Sequence, residues 1–95
     1  MTIPDEIKVG AHTIKIEQAK SKEIDGAGEF RPYYDIVRLR IDSECSESST
    51  AECFLHEIIE VIKSKYGLEI DHTHLTVLSE VLFQVIRDNR LAFMV

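Results

Sequence analysis

Phe54-Leu55-His56-Glu57-Ile58-Ile59-Glu60-Val61-Ile62 is the stretch from which the rest of this 95-residue chain is read. Its apolar residues recur at helical spacing, so the segment reads as an amphipathic helix. His56 and Glu60 then lie one turn apart on one face, with side chains leaning the same way. Such a pair can grip one metal ion. Glu57, the next residue after His56, is turned toward that ion's open side. The rest of the chain must supply a third donor and a scaffold.

Working outward from this helix, Ser49-Thr50-Ala51-Glu52 fits a capping box, with Ser49 at the helix start and Glu52 reaching back to its amide. Helix one is expected from about Thr50 to Tyr66. Leu55, Ile58, Ile59, Ile62 and Tyr66 form the expected buried stripe, widened by Phe54 and Val61. Gly67 supplies a left-handed stop. A second helix opens near Asp71 to Thr73 and runs to about Asn89, with Leu75, Leu78, Leu82, Val85 and Ile86 as its stripe. Leu91 to Val95 is apolar enough to pack, as a short strand.

Before the helices the pattern changes period. Ile7 and Val9, then Ile14 and Ile16, alternate with polar residues around Gly10-Ala11, which reads as a β-hairpin. Gln18 to Gly28 lapses into charge and glycine and reads as a surface loop. Phe30 to Ile41 is a second β region with Asp35 as the turn residue between Arg31–Tyr34 and Val37–Ile41. Pro32 marks the first of these as an edge strand. Asp42 to Ser49 is a serine-rich linker. The expected fold is α+β over 1–95 as one domain: a small antiparallel sheet of about four strands followed by two packed helices.

Composition narrows the function. A 44% apolar, 29% charged chain is ordinary globular material. A formal charge of −6 argues against a nucleic-acid footprint. The longest apolar run, Leu91 to Val95, is far short of a membrane span. The N-terminus shows no charged-then-apolar leader, and Cys45 and Cys53 read as reduced thiols. The expectation is a cytoplasmic protein.

His56-Glu57-x-x-Glu60 differs by one residue from the His-Glu-x-x-His motif, in which two helix histidines bind zinc and the glutamate serves as base. The third donor comes from beyond the helix turn. Glu60 lies about 9 Å along the axis from the end of helix one. The four residues Leu68 to Asp71, extended, span about 13 Å, enough to bring His72 back to the level of Glu60. His74 and then Glu80 rank behind His72. His12, at a strand end with no nearby partner, reads as solvated.

Leu55-His56-Glu57-Ile58-Ile59-Glu60, Leu68-x-Ile70-x-His72 and the closing Leu82-Phe-Gln-Val-Ile-Arg-Asp-Asn89 resemble small prophage-encoded proteins of zincin-like type. The resemblance covers roughly the second half of the chain. It implies a minimal zincin fold, zinc as the cofactor, and His56, Glu60 and His72 as the metal residues. Glu57 would act as base toward a peptide or protein substrate. Glu60 departs from the peptidase motif, where a second histidine stands. A non-catalytic phage regulatory or interaction protein on the same scaffold, with a structural metal or none, is the competing expectation.

Overall fold

Alternating apolar and polar residues build the first half of the molecule. A computed structural model of the chain describes residues 3–19, 26–40 and 46–91. Four strands, β1 (Glu6–Val9), β2 (His12–Ala19), β3 (Gly28–Arg31) and β4 (Ile36–Arg40), precede two helices, α1 (Glu47–Tyr66) and α2 (His72–Asp88). Gly10, at φ +59°, makes the β1–β2 turn expected from the sequence. Asp35, at φ 51°, closes the β3–β4 turn, where aspartate tolerates the left-handed region better than most residues.

The sheet departs from the antiparallel expectation. Its order is β1-β2-β4-β3, with β2 and β4 parallel. The β3–β4 hairpin enters the sheet by its second strand, so β4 becomes central and β3 an edge. Pro32 lies in the turn after β3 rather than within a strand. Gln18 and Ala19 extend β2, and Gly28 opens β3, so both ends of the expected loop belong to the sheet.

One face of the sheet carries Ile14, Val37 and Leu39, all essentially without solvent contact. With Phe54 and Val61 of α1 they form the core, flanked by Ile7, Val9, Ile16 and Phe30. The opposite face is charged: Arg38 lies 3.5 Å from Glu29, which also pairs with Arg31 at 3.0 Å. α1 packs on β3 and β4, and α2 packs on α1.

Helix α1 starts earlier than the capping box implied. Ser46 is its N-cap and accepts from the Ser49 amide at 3.0 Å. Gly67, at φ 63°, ends it as expected, and the Leu68 amide returns to the Lys63 carbonyl at 3.0 Å. Asp71 caps α2 by accepting from the His74 amide at 2.8 Å.

Both buried stripes are corrected. α1 buries Ala51, Phe54, Glu57 and Val61, while Leu55, Ile58, Ile59 and Ile62 are half-buried and Tyr66 is exposed. The apolar face of α1 spans about 160° of the wheel, so the sequence pattern alone left its rotation open. α2 buries Leu75 and Ser79, whereas Leu78, Leu82 and Val85 are exposed beside Val77 and Val81. The expectations for the 20–25 loop, the 41–45 linker with Cys45, and the 92–95 tail lie outside the described residues.

Candidate metal centre

Helical spacing sets two side chains of the candidate group, and the α1–α2 connection sets the third. His56 Nε2 stands 4.0 Å from Glu60 Oε1, one turn along α1. The His72 ring meets the His56 ring edge-on, with centroids 5.5 Å apart. One ligating atom from each of His56, Glu60 and His72 falls within 4.8 Å of the others. Donors on a tetrahedral zinc, at about 2.0–2.1 Å from the ion, stand about 3.4 Å apart. An ion would therefore draw these side chains together by roughly an ångström, within the reach of side-chain torsions.

The other two ranked donors are placed differently. His74 is strongly exposed, and its Nδ1 lies 2.7 Å from Asp71 Oδ2 at the α2 cap. That ring belongs to the cap. Glu80 lines the same cleft as His56 and His72 but is not part of the close group. His12 begins β2 and is exposed.

The cleft has a volume of about 310 Å³ and lies between the two helices and the start of β3. His56, Glu57, His72, Thr76, Ser79 and Gly28 contribute to its wall. Glu60 lines a second hollow with Phe30, Pro32 and Lys63. At Gly28, β3 comes close against α1. A Cβ there would stand 2.7 Å from Cys53 Sγ and 3.3 Å from Glu57 Cγ. The Lys65 ammonium pairs with Asp35, tying the end of α1 to the β3–β4 turn.

Charge is tuned at two of these residues. Glu57 is 5% exposed, and burial pushes its carboxyl up to about 7, with Glu60 and Glu29 adding repulsion. Burial lowers the His56 pKa; Glu60 opposes this, while His72 adds to the lowering. The neutral imidazole so favoured is the form that can donate to a metal. Asp71 is held below its usual range chiefly by the His74 amide.

Two features escaped sequence reasoning. Ser79 Oγ, almost fully buried, donates to the Thr76 carbonyl at 3.0 Å and lies 3.4 Å from His56 Nδ1. The signal for it was its interruption of an otherwise apolar inward line one turn after Leu75. Thr76 Oγ1 is a buried oxygen with no hydrogen-bond partner among the described residues. Nothing in the spacing of α2 announced that. No protein-family model, curated protein or solved structure matches the chain.

Proposed function

We propose that this protein is a zinc-dependent, metallopeptidase-like hydrolase of zincin-like type. The observation that carries the proposal is the convergence of donor atoms of His56, Glu60 and His72, with the buried Glu57 lining the same cleft as the two histidines. Two imidazoles and one carboxylate are the inventory of a zinc site that keeps a position open. When bound there, the ion would acidify a water toward neutrality. Glu57, whose carboxyl is raised by burial in the metal-free chain, would take a proton from that water and return it to a leaving group. Its burial keeps bulk water from that exchange. The carboxylates of Glu52 and Glu80 give the cleft wall an acidic character.

Three donors, rather than four, make up the group found among the described residues. The exposed apolar residues of α2 favour the second reading, an interaction module built on the same scaffold.

Metal titration of the untagged protein, followed by a cleavage screen on a mixed peptide library, tests both. His72→Ala should weaken zinc binding by about two orders of magnitude, and His74→Ala should change it little. Equal losses would break the donor assignment. Glu57→Gln, at matched zinc loading, should abolish cleavage. Cleavage that survives that substitution would remove Glu57 as the base.

A further inference from the structure

Resting on the metal-site proposal, we infer that Ser79 is the positioning residue for the first donor: its buried hydroxyl holds the His56 imidazole with the proton on Nδ1, leaving the Nε2 lone pair free for the ion. Ser79 sits at 1% exposure on the inward face of α2, against α1. Its hydroxyl has a single proton. The shorter of its two contacts, 3.0 Å to the Thr76 carbonyl, takes that proton, because a carbonyl can only accept. Toward His56, 3.4 Å away, the same oxygen presents a lone pair. On that reading His56 Nδ1 is the donor.

The other ring nitrogen follows from this. In a neutral imidazole only one nitrogen carries hydrogen. With Nδ1 protonated, Nε2 is the acceptor, and Nε2 is the atom that stands 4.0 Å from Glu60 Oε1. A metal-bound histidine commonly has its second nitrogen held by a hydrogen bond that fixes tautomer and orientation. Here the holder comes from the helix opposite, so packing α2 on α1 also sets the donor. Thr76, whose carbonyl orients Ser79, is one turn past His72, so one stretch of α2 supplies both a donor and the support for another.

The test uses the metal-free full chain with long-range proton–nitrogen NMR of the His56 ring, at a pH where the ring is neutral. Wild type should show the Nδ1–H form. Ser79→Ala should shift the population toward Nε2–H, and zinc affinity should fall by about tenfold to a hundredfold. Ser79→Thr, which keeps the hydroxyl, should restore both. An Nε2–H ring in wild type, or a tautomer and an affinity unchanged in Ser79→Ala, would overturn the inference. So would an affinity loss shared by Ser79→Thr, which would assign Ser79 to packing alone. A wild-type protein that binds no zinc would defeat the metal proposal, while the tautomer measurement would still decide the role of Ser79.

Discussion

Glu57 sits where its charge is least welcome: on the sheet-facing side of α1, with burial and two other carboxylates raising its pKa to about 7. In the unfolded chain a glutamate titrates near 4.3. The folded metal-free protein therefore binds a proton more tightly than the unfolded chain does. The stability this gives is fully present below the unfolded pKa and lost as pH rises through about 7. His56 works in the other direction. Its lowered pKa favours the neutral folded form, so its contribution grows as pH rises toward its unfolded value. Comparing wild type with Glu57→Gln isolates the first effect. Denaturant unfolding of metal-free protein should show Glu57→Gln gaining on wild type by on the order of 3 kcal/mol between pH 4.5 and pH 8. A constant gap across that range would mean the carboxyl is not shielded.

At the scale of elements, β3 and α1 fit tightly at Gly28. Gly28→Ala would thrust a methyl at Cys53 and Glu57, and the Arg38 carbonyl lies only 3.2 Å from the same point. Overpacking of this kind costs about 1–3 kcal/mol. The expected result is a lowered melting temperature together with weaker zinc binding, because relief comes by moving β3 or α1. Melting unchanged by the substitution would show that β3 yields without strain. The elements also show what could be read beforehand. Helix ends at Gly67 and Asp71 were legible because each needs a particular residue: an αL-tolerant one and an amide acceptor. The proximity of the three side chains was legible for a similar reason, since the helical repeat fixes His56 and Glu60, and four linking residues limit where His72 can go. The rotation of α1 was not legible. Phe54, Leu55, Ile58, Ile59, Val61 and Ile62 span an arc of about 160°, broad enough to pack in more than one rotation, and a charged Glu57 at its margin would not be chosen for the inward face from polarity alone. The parallel β2–β4 pairing was equally hidden, because alternation sets which face is buried but not which strand lies beside which.

Across the whole molecule, apolar surface is divided unevenly. The sheet and α1 enclose a continuous core, while α2 spends much of its apolar side on solvent at Val77, Leu78 and Val81. Two substitutions six residues apart on α2 should therefore behave oppositely. Leu75→Ala, at a fully buried position, should cost about 2–5 kcal/mol. Val81→Lys, at 52% exposure, should change stability by no more than about 0.5 kcal/mol. Thermal melting of the two variants checks this. A large loss from Val81→Lys would mean that the exposed face is covered in solution.

All three proposed donors lie on one helical hairpin, between His56 on α1 and His72 at the start of α2. None comes from the sheet, whereas the burial of Glu57 depends on β3. Grip and reactivity are thus separable along the folding route. A chain whose hairpin has formed ahead of its strands could already hold an ion without having a base in a shielded setting. Zinc would then stabilise partly assembled molecules as well as native ones. Excess metal would accordingly raise the melting point by less than the native affinity alone implies, since stabilisation reflects the difference in binding between the two ends of the transition.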